Sequence, residues 1–296
     1  MRFFHTLWTA PQTEDSVASN IVNFTTSAAL VKRMGGELVL HTDDFGYEML
    51  KHIPYDSIYV DLNDLDKNLA NYFWAYGKLY ATSLESIGSI HIDGDVFLKN
   101  PQLAQLFDQE CDLLVQGTED ENSKQDDCYA YTQNVYRNYK LLNNMYVLWP
   151  CAYNCGIVKF NNEELKEKYL DLYFKTVNML MKDQKNLDKY IYNENIKRNG
   201  KVILDLIAEQ QFLHEIVTRE EYNCKRILNE REVNAQAERI GYCHLCGPEK
   251  LYQYEGVKNL LKAVDYPLYV EMMENPVFIE YAKKVNTNKP FYVYDN

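Results

Sequence analysis

The chain lacks long apolar segments and an excess of positive charge, and both absences exclude classes of protein. No segment approaches the roughly 18 to 20 uninterrupted apolar residues of a membrane span, and residues 1–8 lack the apolar core of a secretion signal. With 31 Lys and Arg against 43 Asp and Glu, the net charge of -12 repels nucleic acid and anionic membranes. We therefore expect neither stable membrane insertion nor nucleic-acid binding.

The cysteines are too irregular in number and spacing to form a disulfide framework. The seven cysteines are odd in number and scattered, which indicates reduced thiols and a cytoplasmic location. The spacings Cys151-x-x-x-Cys155 and Cys243-x-x-Cys246 would also fit a four-thiolate zinc site, which we keep as an alternative.

The remaining sequence alternates between strand and helix patterns. Strands are predicted over residues 2–7, 37–41, 57–62, 89–92, 112–116 and 151–160, and helices over 16–34, 69–84, 101–107 and 163–181. This alternation is typical of an α/β fold with a mainly parallel sheet flanked by helices. We predict one catalytic domain over 1–251, made of two halves over about 1–110 and 111–251. A helical C-terminal extension is predicted over 252–296.

An Asp-Gly-Asp motif follows the predicted strand 89–92. On an extended chain Asp93 and Asp95 would point the same way, with Cα atoms about 6.6 Å apart, and could share one Mn or Mg ion. Gly94 would leave room for a phosphate-bearing ligand to approach the backbone. We expect His91 to point away from the aspartate pair. An ordinary turn with solvated carboxylates is the alternative interpretation.

Three later segments carry residue types that suit the same chemistry. His244, Gly247 and Lys250 are spaced three apart, so they could supply a metal ligand, backbone amides for a diphosphate and a positive charge. Asn154 and Gly156 lie in a strand, where an amide can bind sugar hydroxyls and a glycine gives the ring room. Residues 208–213 contain Glu209 and Gln210.

These segments resemble known motifs. Asp93-Gly94-Asp95 resembles the DxD motif of GT-A glycosyltransferases, and residues 244–250 resemble the His-x-x-Gly-x-x-Lys motif of the glycogenin-like and lipopolysaccharide galactosyltransferase family of retaining enzymes. Residues 153–158 are similar to that family's Phe-Asn-x-Gly-Val strand, and residues 208–213 to its Asp-Gln-Asp-x-Leu segment. The chain departs from the family at Leu251 and Tyr252, where Pro-Trp is usual, and at Glu209 and Gln211, where aspartates are usual.

The resemblance implies a GT-A, Rossmann-like fold and transfer of a hexose from a nucleotide diphosphate sugar, most simply a UDP sugar, to a carbohydrate hydroxyl with retention. It implies Asp93, Asp95 and His244 as ligands of Mn or Mg, and Lys250 with the Gly247 backbone at the leaving diphosphate. Gln210 or Glu209 would lie below the sugar, and Asn154 with Gly156 would line the sugar pocket.

Other residues are weaker candidates for donor binding. Trp8 and Thr9 follow the first strand, where the base would stack, although a structural tryptophan is an equal alternative. Asp44, with Asp43, could bind the ribose or form an ordinary turn and helix cap. Lys78 could reach the phosphates or be a solvated helix residue.

Two other functions fit part of the pattern. Residues 92–96 resemble the nucleophile strand of haloacid-dehalogenase-type phosphatases, in which Asp93 would attack phosphorus and Asp95 would be the general acid. A nucleotide-sugar binder without turnover is the non-enzymatic alternative. The C-terminal residues 267–285 are predicted to form one helix, and the aromatic residues 290–296 to pack back on the catalytic domain. The sequence leaves the oligomeric state open.

Overall fold

The structure is a computed structural model and describes residues 1–120, 151–185, 187, 204–229, 233–246 and 249–285. Its described residues form two compact units, each with α-helices and β-strands, and most strand pairs are parallel, as predicted. Unit 1 comprises residues 1–65, 88–108 and 230–296, and unit 2 comprises residues 66–87 and 109–229. The predicted boundary near residue 251 stays a prediction.

Unit 1 contains six strands and seven α-helices among its described residues. The elements in chain order are β1 (Arg2–Leu7), α1 (Glu14–Lys32), β2 (Glu37–Thr42), α2 (Asp44–Leu50), β3 (Ser57–Val60), β4 (Ile90–Ile92), β5 (Val96–Leu98), α6 (Val233–Ile240), β9 (Tyr242–His244), α7 (Glu249–Tyr252), α8 (Tyr254–Val264), α9 (Tyr266–Glu274) and α10 (Pro276–Tyr281).

The sheet of unit 1 is parallel. Its strands stand in the order β3-β2-β1-β4, with Phe3 opposite both Leu38 and Ile90. Phe3, Leu38 and Ile90 are fully buried, as expected for strands covered by helices on both faces. Because parallel strands end at one edge, residues that follow β1, β2 and β4 meet at the same side of the sheet.

Helix α1 is the central helix of unit 1. Thr13 precedes it, and the Thr13 amide donates to Ser16 Oγ at 3.2 Å, so the first turn is capped by a side chain. Most of the helix is buried, because the C-terminal helices α8, α9 and α10 pack against it. Residues of the predicted C-terminal extension therefore contribute to the core of unit 1.

Unit 2 is built on a second group of strands. Its elements are α3 (Tyr76–Leu84), β6 (Leu113–Asp120), β7 (Cys151–Phe160), α4 (Glu163–Lys182), a π-helical turn (Leu206–Gln211), α5 (Phe212–Arg219) and β8 (Cys224–Arg226). β6 pairs antiparallel with β7 and parallel with β8. The antiparallel pair is a local exception to the parallel pattern.

Two helix predictions were wrong in extent. The predicted helix 69–84 is a 3₁₀ turn, Lys67–Asn71, followed by the shorter α3. The predicted helix 267–285 ends at Glu274, because Asn275 takes an extended conformation before Pro276 and caps α10 through the amides of Val277 and Phe278. The aromatic residues 290–296 lie outside the described residues. No helix in the described part of the chain is long and apolar enough to cross a membrane.

Candidate metal centre

The Asp-Gly-Asp motif forms a turn, which corrects the extended conformation assumed from the sequence. The amide of Val96 donates to the carbonyl of Asp93 at 3.0 Å, so residues 93–96 close a tight turn between β4 and β5. The strand-alternation argument for the aspartate pair was therefore wrong in its geometry. The turn nevertheless holds both carboxylates on one side of unit 1.

His244 reaches the aspartates through a short strand pair that the sequence did not predict. β5 pairs antiparallel with β9, with Val96 opposite His244, and the Leu245 amide donates to the Asp95 carbonyl at 3.1 Å. Gly241, at φ +77°, lets the chain turn from α6 directly into β9. Asp93, Asp95 and His244 each offer one ligand atom, and these three atoms lie within 4.8 Å of one another. The three residues could therefore hold a metal ion.

Positive charge surrounds the buried Asp95 carboxylate. Lys250 Nζ lies 2.5 Å from Asp95 Oδ2, and His244 Nε2 lies 3.5 Å from Asp95 Oδ1. Burial alone would raise the pKa of Asp95, but Lys250 and His244 hold it well below its usual range. Burial likewise opposes the charged form of His244, yet Asp95 raises the pKa of that imidazole well above its ordinary value. Asp95 is therefore an ionised carboxylate.

Two neighbours of the aspartates differ from expectation. A Cβ atom at Gly94 would lie 2.3 Å from Phe24 Cε2, so packing against the Phe24 ring explains this glycine, and the space we expected for a phosphate is filled by that ring. The prediction that His91 points away was also wrong. Its Nδ1 lies 3.7 Å from Asp93 Oδ1, because residues 91 and 93 are two apart and share a face.

Tyr242 is a residue of this site that the sequence reasoning missed. Its side chain is 4% exposed, and its hydroxyl has no hydrogen-bond partner among the described residues. Burial first, then the nearby Cys246, Asp93 and Asp95, raise the pKa of Tyr242, so the hydroxyl keeps its proton and can donate. A spacing of two from His244 on a strand was the available signal.

Unit 2 holds a separate group of the predicted residues. Lys78 Nζ lies 2.8 Å from Glu209 Oε1 and donates to the Cys155 carbonyl at 2.7 Å, so it is not a solvated helix lysine. The Asn154 amide donates to Glu119, and its Oδ1 accepts from the Gly156 amide at 3.0 Å. Gln210 is half-buried in the π-helical turn that carries Glu209.

Asp205 is a second residue that the sequence reasoning missed. It is fully buried and accepts from the Ala75 amide at 2.6 Å and from the Tyr173 hydroxyl at 3.2 Å. Burial, followed by the charge of Glu209, raises the pKa of Asp205 well above its usual range. The spacing of four between Asp205 and Glu209 places both on one helical face and was the available signal.

The weaker donor-binding candidates have local structural roles. The Thr9 amide and hydroxyl both donate to Asp43 Oδ2 at 2.8 Å, and Asp43 caps α2 by accepting from the Gly46 amide. Asp44 is exposed in the first turn of α2, and Trp8 is 6% exposed. Their predicted contacts with a nucleotide stay predictions.

Two remaining predictions have different outcomes. Gly247 lies outside the described residues. The alternative of a zinc site is not supported. Within the described ranges, Asp93, Asp95 and His244 are the one group of three or more potential ligands that lie close enough to hold a metal ion, and the group contains no cysteine.

The chain matches the family described as "Family of unknown function (DUF6734)" over residues 1–283, and it belongs to that family. No curated protein matches it. Among solved structures it is similar to the glycosyltransferase GlyE of Streptococcus pneumoniae TIGR4, with 12% sequence identity and a TM-score of 0.44. That similarity covers 96% of this chain, which spans 65% of the length of the matched chain.

Proposed function

We propose that this member of the DUF6734 family is a metal-dependent glycosyltransferase that moves a hexose from a nucleotide diphosphate sugar, a UDP sugar in the simplest case, to a carbohydrate hydroxyl. The observation that carries the proposal is the approach of Asp93, Asp95 and His244, whose ligand atoms lie within 4.8 Å of one another. A nucleotide sugar and a saccharide acceptor would be its partners. The free cysteines of the described residues support a cytoplasmic location.

The donor set suits Mn or Mg. Two carboxylates and an imidazole are oxygen and nitrogen ligands that Mn accepts well, and three protein ligands leave positions for diphosphate oxygens. The charge of the site also fits, because Lys250 lies against the Asp95 oxygen that a cation would bind, and His244 would release a proton on becoming a ligand. A bound cation would supply Lewis-acid stabilisation of the leaving diphosphate.

The protein's own groups would complete the site. In this proposal Lys250 turns from Asp95 to the diphosphate and stabilises the charge that develops as the glycosidic bond breaks, with the Gly247 backbone beside it. The buried Tyr242 hydroxyl would donate to a ligand oxygen. The resemblance of the unit 2 motifs assigns Glu209 or Gln210 to the anomeric carbon, and Asn154 with Gly156 to the sugar hydroxyls. Retention of configuration rests on the resemblance of these motifs.

The phosphatase alternative is disfavoured by the state of Asp95. A general acid must carry a proton at working pH, but Lys250 and His244 keep the pKa of the Asp95 carboxyl well below its usual range. A carboxylate so held suits a cation ligand better than a proton donor. A binder without turnover keeps the same site and is separated by experiment.

The experiment combines metal binding with turnover. The protein is titrated with Mn, and release of sugar from UDP-hexoses is followed with and without metal and acceptor. Asp95→Asn and His244→Ala should abolish turnover and weaken Mn binding about tenfold or more, whereas Asp108→Asn, which changes an exposed aspartate of unit 1, should leave both unchanged. Hydrolysis of phosphate monoesters alone would favour the phosphatase, and binding of UDP without turnover would favour the binder.

A further inference from the structure

Unit 2 contains a cavity of about 400 Å³ that none of the predicted site residues lines. We name it the Tyr153 cavity. Its polar and aromatic lining includes Thr118, Tyr153, His214, Glu221, Tyr222 and Arg226. The volume lies within the range of about 300–1,000 Å³ that is typical of small-molecule sites.

The cavity is separate from the sugar pocket proposed above. Tyr153 and Asn154 are neighbours in β7, and successive side chains of a strand project to opposite faces of the sheet. Asn154 donates to Glu119 on its face, whereas the Tyr153 ring packs against the His214 ring, with centroids 4.8 Å apart. A ligand of the cavity would therefore not contact the Asn154 side chain.

Arg226 and His214 are the polar groups of the cavity whose hydrogen bonds decide what it can bind. Arg226 donates to Thr118 Oγ1 at 3.1 Å, and within the described part of the chain it has no carboxylate partner. A guanidinium carries five donor hydrogens, of which the bond to Thr118 uses one. His214 Nδ1 is inaccessible to solvent and has no hydrogen-bond partner among the described residues. Burial lowers the pKa of His214, so its ring is neutral, and the Nδ1 atom itself is closed to a ligand in the cavity.

Glu221 stands at a position where glycine is the usual residue. It follows the C-terminus of α5 with φ +56°, and the Tyr222 amide donates to the Val217 carbonyl at 3.1 Å, which is the Schellman pattern of helix ends. Among the described residues, Glu221 is the one non-glycine residue with positive φ. The glutamate provides the cavity with a carboxylate that glycine would lack.

We propose that the Tyr153 cavity is a binding site for a neutral saccharide of one or two hexose units. Sugars present many hydroxyls, each a donor and an acceptor, and a guanidinium, a carboxylate, an imidazole and a threonine hydroxyl can pair with them. The half-buried Tyr222 ring provides an amphipathic surface for the C–H face of a sugar ring. The charges of Arg226 and Glu221 offset each other, so the cavity does not select an anion.

The site is independent of the metal centre, and the test keeps the two apart. The whole protein, in EDTA and without nucleotide, is examined by saturation-transfer NMR and titration with glucose, galactose, mannose, N-acetylglucosamine and their β-1,4-linked disaccharides. At least one of these sugars should bind. The Asp95→Asn variant should bind it equally well, so failure of the proposed transferase activity would not affect this result.

Variants of the lining residues give the decisive comparison. Arg226→Met should weaken binding about tenfold, because it removes charged hydrogen bonds, and Glu221→Gln should weaken it several-fold. Lys225→Met is the matched control, since Lys225 is the adjacent exposed residue of β8 and does not line the cavity. Thermal melts show whether each variant is folded. Equal affinities of Arg226→Met and Lys225→Met, binding of no sugar in the panel, or displacement of the sugar by inorganic phosphate would overturn the proposal.

Discussion

Lys250 Nζ lies 2.5 Å from Asp95 Oδ2, so the ammonium group lies against a carboxylate oxygen that a metal ion would bind. Asp95 is 9% exposed at its side chain, and a buried carboxylate without a cation would be costly. Lys250 therefore has two tasks in the proposed enzyme. It neutralises Asp95 in the metal-free protein and is available for the diphosphate when a cation takes its place.

Replacement of Lys250 should separate these two tasks. In Lys250→Gln the ammonium no longer competes for Asp95, so the dissociation constant for Mn should fall about tenfold, while sugar transfer should drop about 10²-fold because the leaving diphosphate loses a positive charge. Calorimetric Mn titration and a transfer assay measure the two effects. Lys258→Gln, which changes a lysine paired with Glu255 in α8, is the control. Weaker Mn binding in Lys250→Gln would contradict the competition.

Tyr242→Phe should stabilise the metal-free protein and impair the enzyme. Removing a buried hydroxyl that lacks a partner among the described residues should raise the free energy of unfolding by about 1–3 kcal/mol. If that hydroxyl donates to a bound ligand, transfer should fall about tenfold. Urea unfolding and steady-state kinetics provide the measurements, with the buried Tyr254→Phe as control. Unchanged kinetics would mean that the hydroxyl has no part in binding or turnover.

The sequence predicted best those helices and strands whose apolar periodicity and capping residues lie within the element itself. The strand 151–160 was predicted with its observed bounds, α1 differs by two residues at each end, and α4 differs by one residue at its C-terminal end only, because apolar periodicity and capping residues are local. The fold class followed from the alternation of these elements. The α/β architecture with a mainly parallel sheet is confirmed.

The geometry of the site depended on non-local contacts. β5 and β9 have three residues each and lie far apart in the chain, so no local pattern predicts that Val96 pairs with His244. The Asp-Gly-Asp motif was identified as a candidate, but the turn was named only as the alternative, because the argument for a shared metal ion assumed an extended chain through residues 93–95. Residue types thus indicated the chemistry, and the strand pairing determined the arrangement.

His52 should make the stability of unit 1 dependent on pH. Its ring lies between Thr25 Oγ1, at 3.0 Å, and Asn275 Nδ2, at 3.1 Å, and burial lowers its pKa from 6.5 to about 4. Between these two values the unfolded chain binds a proton that the folded chain does not, so the free energy of unfolding should decrease as pH falls from about 6.5 to 4. The full loss would be about 3 kcal/mol.

The matching variant isolates this contribution. His52→Gln cannot take up the proton. The free energy of unfolding of the wild type, relative to that of the variant, should therefore decrease as pH falls through this window. Urea unfolding at half-unit steps of pH measures it, and carboxylates that titrate in both proteins cancel in the difference. A pH-independent difference would show that His52 is not the responsible group.

Glu221→Gly should have opposite effects on stability and on saccharide binding. Glycine adopts the positive φ of this position without the steric cost of a side chain, so the free energy of unfolding should rise by about 1 kcal/mol. The same change removes a carboxylate from the Tyr153 cavity, so affinity for the sugar that binds there should fall several-fold. Glu220→Gly is the control, because Glu220 has φ -97° and gains nothing from glycine. If Glu221→Gly were more stable but bound the sugar as tightly as wild type, the glutamate would have no role in the cavity and the αL conformation would need another explanation.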